Sequence, residues 1–178
     1  MLVKSNIELR YALIIASLLF VWVSLEYIFG LQDKYIAYHP IIANFAVIIP
    51  VIGTVLAIRS KKVNTWEGEM SYWQGFLSGL LVSSYAAVFW VIGLFIFFTL
   101  VNPHFFDEMI KYSVSRADIL GLDSTDAAIH ARHFFNMPSY LLQSFVGVFI
   151  IGAITTLVAS FIFKSKISKR ASPGTGET

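Results

Sequence analysis

Glu26 is the residue whose chemistry is hardest to place. It stands alone as an ionisable group inside an apolar run from Tyr11 to Leu31, and a carboxylate in hydrocarbon is costly enough that it must be protonated, paired or turned into a wet interior. Counted back from Leu31 along a helix, it lies about 7 Å inside the run's outer boundary. Asn44 and Gln143, counted from the starts of the second and fourth apolar runs, lie about 5 Å inside theirs. The shared depth predicts a polar cluster of Glu26, Asn44 and Gln143, with Ser144 or Thr99 as further members, able to take a small ligand, a proton or a lipid headgroup. The plainer alternative is an inter-helix hydrogen-bond clamp in which Glu26 snorkels to the interface.

A second group involves histidine. Asp126, His130 and His133 recur at helical spacing, and carboxylate and imidazole ligands on one helix face can hold zinc or another divalent metal. An H-x-x-H pair without a defining motif also arises by chance, and the alternative is simple hydrogen bonding at an interface. No H-E-x-x-H, G-x-S-x-G, P-loop or dinucleotide fingerprint is present. General acid/base enzymes usually need paired groups, and Glu26 is the single ionisable side chain in the apolar runs. The residues support no catalytic reading and imply no cofactor.

The elements that position these residues are four apolar runs: Tyr11–Leu31, Ile41–Ile58, a stretch ending Gly75–Val101, and Tyr140–Phe163. Roughly 20 residues of helix cross a bilayer core about 30 Å thick, a length these runs reach or approach. With 57% hydrophobic and 13% charged residues, the 178-residue chain has too little polar surface to cover a water-soluble globule. The runs are too long for core strands and do not alternate in polarity, which favours helices over a β-barrel. The fold class is therefore all-α, an integral membrane four-helix bundle with short amphipathic helices in the long outer loop between helices 3 and 4. The domain covers 1–170, with helices at about 6–31, 41–59, 71–101 and 138–164 and an outer cap at 102–137. Residues 171–178 read as a disordered tail. Cysteine is absent, which rules out disulfides and thiolate-bound metals.

Nine of the thirteen Lys and Arg residues fall before helix 1, between helices 2 and 3, or after helix 4. Positive residues are retained on the cytoplasmic side during insertion, so both termini are expected there, in a multi-pass topology. Basic residues segregated in this way do not form a nucleic-acid-binding face. Capping boxes are expected at Ser5 with Glu8 and at Ser71 with Gln74. Pro40 and Pro138 suit helix starts, whereas Pro50, in the middle of helix 2, predicts a kink. In the outer loop, Phe105, Phe106, Met109 and Ile110 share one side of a short helix expected to lie on the membrane surface, and Gly121 breaks it.

Gly75, Gly79, Ser83 and Ala87 form a small-residue ladder on helix 3, and helix 4 offers Gly152, Thr156 and Ser160. Such rows let helix backbones approach closely within the bilayer. Internal packing of helices 3 and 4 is one outcome; a homodimer or contact with another membrane protein is the other.

Several stretches resemble a family of small bacterial membrane proteins described only as a domain of unknown function: S-N-I-E-L-R-Y-A, S-L-E-Y-I-F-G-L-Q-D, M-S-Y-W-Q-G-F-L-S-G, N-P-H-F-F and F-F-N-M-P-S-Y-L-L-Q-S. The resemblance spans nearly the whole chain through helix 4. It implies four transmembrane helices in the bacterial inner membrane, and it implies no activity and no site residues. Two functions remain open. The first is a non-enzymatic packing or interaction module, and the second is a transport-related or small-ligand-binding protein using the cluster around Glu26.

Overall fold

A computed structural model describes residues 6–165. Helix α1 runs Ile7–Ile28. It ends earlier than expected because Gly30 adopts a φ of +72°, and the Tyr35 amide turns back to donate to the Gly30 carbonyl at 2.7 Å. The second span is one helical stretch from Ile36 to Thr65. It consists of a 3-10 turn, α2 (His39–Asn44), a second 3-10 turn at Phe45–Val47, and α3 (Ile48–Thr65). The irregular turn stands one turn before Pro50. Proline supplies no N–H for the carbonyl four residues back and crowds it, so the expected disturbance falls on Ala46 and its neighbours. α3 also runs past the expected end at residue 59, since nothing in Arg59–Thr65 breaks a helix until Gly68.

Helix α4 (Tyr72–Ile96) opens with the expected capping box: Ser71 Oγ accepts from the Gln74 amide, and the Gln74 side chain accepts from the Ser71 amide. It continues into a wide π-turn at Phe97–Val101. Two short helices follow, α5 (Phe105–Ile119) and α6 (Ser124–Phe134), and then α7 (Met137–Phe163). Asp123 caps α6 and Asn136 caps α7. Among the described residues there are no strands.

Four helical stretches of 22, 30, 30 and 27 residues are long and apolar enough to cross a membrane. Their outer faces carry a belt of exposed Leu, Ile and Val, including Leu18, Leu81, Ile92, Ile150 and Ile154. A water-soluble protein does not leave so continuous an apolar surface uncovered, so this is a multi-pass membrane protein. α3 and α4 pack together, with α1 and α7 each contacting both of them from opposite sides. The central layer joins Ile15 and Leu19 of α1, Ala57 of α3, Val82 and Ala86 of α4, and Val148 of α7.

The small-residue ladder lies inside this bundle. Gly75, Gly79, Ser83 and Ala87 are buried, as are Gly152, Thr156 and Ser160. A Cβ at Gly79 would meet Thr156 Cγ2 at 2.7 Å and Ile58 Cδ1 at 2.8 Å, and a Cβ at Gly152 would collide with Ser83. The ladder is thus filled by contacts within one chain.

One expectation about helix ends changes. The N-cap of α1 is Asn6, and the proposed cap residue Ser5 lies outside the described residues. Glu8 is turned into the bundle instead, where it pairs with Lys61 and accepts from Ser78 Oγ at 2.9 Å. Nearby, Lys62 Nζ donates to the Phe163 carbonyl at 2.8 Å, capping the end of α7. The expected tail at 171–178 also lies outside the described residues.

The apolar side of α5 faces protein. Phe105 and Met109 are buried with Val23, Leu94, Phe97 and Phe98, and the Phe98 and Phe105 rings stack at 4.7 Å. The membrane-surface expectation for this face is corrected accordingly: the π-turn folds the chain back and brings α5 over the bundle end.

Candidate functional site

The Glu26 carboxylate is positioned by its own helix and by the chain that follows it. Trp22, one turn earlier, donates its indole N–H to Glu26 Oε1 at 2.6 Å. After the Gly30 turn, Gln32 folds back and donates to the Val23 carbonyl at 3.2 Å. The π-turn at the end of α4 swings Asn102 inward, so that its amide donates to Gln32 Oε1 at 2.8 Å. Gln32 and Asn102 are both buried. This chain of amides fixes the first loop against α1 and α4 and holds the floor of the loop end beside Glu26.

His39 arrives from the other side at the start of α2. Its Nδ1 lies 3.7 Å from Glu26 Oε2, beyond hydrogen-bond range. His39 is only 5% exposed, and Nδ1 has no hydrogen-bond partner. The ring packs edge-on against Phe105 with centroids 5.3 Å apart, which explains how α5 helps to seat it.

Between these groups lies a partly open cavity of about 300 Å³. Glu26 and His39 form its polar pole, with Asn44 and Ser144 also in the lining. Trp22, Trp90 and Tyr140 supply aromatic wall, and Pro50, Val148 and Ile151 extend it toward the middle of the spans. The volume sits at the lower end of the range of about 300–1,000 Å³ typical of small-molecule sites, and so does the pattern of apolar walls with few polar groups.

The expected cluster is assembled in part. Glu26 and Asn44 share the cavity, although Asn44 Nδ2 is engaged by the Pro40 carbonyl at 2.7 Å. Gln143 is not in it: its amide donates to Ser139 Oγ at 2.9 Å and to the Phe134 carbonyl at 3.3 Å. One position along α7 rotates the side chain by about 100°, and it is Ser144 that reaches the lining. Thr99 is exposed on the π-turn.

His39 and Trp22 were missed as partners of Glu26. The Trp22 signal was present, because residues four apart on a helix are neighbours on one face. His39 could not be found from helix depth, since it depends on how the first loop closes.

Asp126, His130 and His133 are all exposed on α6. The two histidines border a shallow groove with Ser113 and Phe134, in which Asp126 takes no part. Among the described residues, no three His, Cys, Asp or Glu side chains are grouped to hold a metal ion. The helical spacing places them on one side of α6, but their contacts diverge.

A family model described as Protein of unknown function (DUF4199) matches residues 10–165. No curated protein and no solved structure matches the chain.

Proposed function

We propose that this chain, which belongs to the DUF4199 family of proteins of unknown function, is a non-enzymatic membrane protein that binds a small amphiphilic molecule in the cavity at Glu26 and His39. The observation that carries the reading is the unpartnered His39 Nδ1, 3.7 Å from a buried carboxylate, both in the lining of a cavity of about 300 Å³. Buried polar atoms are nearly always satisfied, and one that is not, inside a cavity, is the position at which a bound group completes the hydrogen bonding.

Binding is favoured over conduction. The cavity reaches Pro50 and Ile151, and beyond that depth the Gly152–Ser83 and Gly79–Thr156 contacts close α4 on α7. Among the described residues, these contacts leave no opening between α4 and α7 below the cavity, which favours a closed site over a pore. The same contacts fill the α4 ladder within one chain, so the binding reading needs no second copy; a homodimer or another membrane protein stays the partner of the alternative interaction-module reading. The bilayer itself remains the partner of the outer apolar belt.

Arg59, Lys61, Lys62 and Lys164 gather at the end of the bundle opposite the cavity. Counted in chain order, nine of the thirteen Lys and Arg residues flank the spans on that side and four on the other, which supports both termini cytoplasmic and the cavity toward the outer leaflet, within the bacterial inner membrane that the family resemblance implies.

The test uses Gly147, which lines the cavity and has no atom within 4 Å of where a Cβ would stand. Gly147→Leu is expected to fold normally and to fill the cavity. Wild-type protein in mild detergent should be stabilised against thermal unfolding by members of a panel of small aromatic amines, alcohols and acids, and Gly147→Leu should not respond. A wild-type protein indifferent to the whole panel would overturn the reading.

A further inference from the structure

We infer that the ligand of this site carries a protonated amine. The inference rests on the binding reading above and names its chemical class. The chain buries two carboxylates, and it treats them differently. Glu8, 5% exposed, is matched by Lys61. Glu26, 4% exposed, has neither Lys nor Arg paired with it among the described residues; its one ion-pair neighbour is His39 Nδ1 at 3.7 Å, which carries a charge only when protonated. A buried carboxylate is ordinarily matched by a cation, and at Glu26 the space where that cation would stand is the cavity.

The other groups at the pole suit the same occupant. With its proton on Nε2, His39 presents Nδ1 as an acceptor 3.7 Å from Glu26 Oε2. At donor–acceptor distances of about 2.9 Å, one ammonium nitrogen lodged between them can donate to both. Asn44 spends its amide N–H on Pro40, which leaves its carbonyl oxygen as a further acceptor. The indoles of Trp22 and Trp90 and the ring of Tyr140 in the lining offer electron-rich surface to a cation. An anionic ligand would instead meet the Glu26 charge in a site of low dielectric. The apolar extension along Pro50, Val148 and Ile151 accepts the hydrocarbon body of the amine.

The experiment compares three probes of one shape on the detergent-solubilised wild-type protein: 2-phenylethylamine, protonated at neutral pH, 2-phenylethanol and 3-phenylpropanoate. The amine is expected to bind at least about tenfold more tightly than the alcohol, about 1.4 kcal/mol, and the acid not at all. Glu26→Gln should abolish the preference, and Gly147→Leu should abolish binding. The comparison on wild-type protein stands whether or not Glu26→Gln folds. Equal binding of amine and alcohol, or preference for the acid, would overturn the cationic class while leaving the site in place. Binding by none of the three, or binding unaffected by Gly147→Leu, would overturn the site as well.

Discussion

Gly79→Ala tests how the bundle is held together. The added methyl would stand 2.7 Å from Thr156 Cγ2 and 2.8 Å from Ile58 Cδ1, with Thr156 Oγ1 also in the way. Ile58 Cδ1 is the end of a flexible side chain and can rotate aside. Thr156 is fully buried and branched at Cβ, so it cannot yield without moving α7. Forcing one methyl into a packed interior costs about 1–3 kcal/mol, and the rigid partner puts this site in the upper half of that range. Thr156→Ala removes both colliding atoms. Alone it leaves a small void but also deletes a buried hydroxyl that has no hydrogen-bond partner, so its net cost should be about 1 kcal/mol or less. The double variant should therefore be nearly as stable as Thr156→Ala alone, giving a coupling energy close to the whole cost of Gly79→Ala, about 2–3 kcal/mol, that favours the pair. Unfolding free energies in one detergent, measured at two protein concentrations, supply the cycle. Additive costs would refute the reasoning, and a coupling that vanished on dilution would place the ladder between chains.

The Glu8–Lys61 pair should show the asymmetry of buried charge. Lys61→Met strands the Glu8 carboxylate and should cost about 1–3 kcal/mol, less than a fully buried pair because Lys61 is partly exposed. Glu8→Gln keeps an acceptor for Ser78 and should cost less, and adding Glu8→Gln to Lys61→Met should recover stability; a double variant worse than Lys61→Met would contradict this. At the other end, Asp123 accepts the amides of Thr125 and Asp126 at the start of α6, which lowers its pKa below the ordinary aspartate value. A depressed carboxylate contributes stability that is complete above its unfolded value and lost as pH falls through the lower folded value. Hydrogen exchange in α6 should accelerate over that acid window and lose this pH dependence in Asp123→Asn, and an unchanged profile would argue against the cap.

What could be read from the chain divides by the range of the interactions. Apolar length, the Ser71–Gln74 box, Asp123, and prolines 40 and 138 are local signals, and each appears where local chemistry puts it. The ladder was visible as a pattern, but its partner was not, because a row of small residues records closeness and not what comes close. The π-turn at Phe97–Val101 leaves no mark in hydropathy. Without it neither Asn102 nor α5 reaches the loop end, so Gln32 and Asn102 read as ordinary loop residues. Gln143 and Ser144 show the limit of depth counting. Rise along a helix was right to within a residue, whereas rotation about its axis, at about 100° per residue, decided which of the two faces the cavity.

The two buried glutamates connect the fold to the proposed function. Both lie on α1, 18 residues apart, near opposite ends of one helix. Glu8 is answered by Lys61, whose ammonium also stands over the Trp66 ring, 5.4 Å from its centroid. The end of the bundle holding Glu26 has basic residues too, in Lys34, Lys111, Arg116 and Arg132, and none pairs with it among the described residues. The Lys111 ammonium instead pairs with Glu108 on the surface of α5. If charge neutralisation served only stability, a lysine at the start of α2 would answer Glu26 as one near the end of α3 answers Glu8. The chain places His39 at that position, leaves its Nδ1 without a partner and keeps a cavity beside it. Stability alone does not call for these features, and the proposed amine site rests on them: a carboxylate bonded by Trp22, with neither Lys nor Arg paired to it among the described residues.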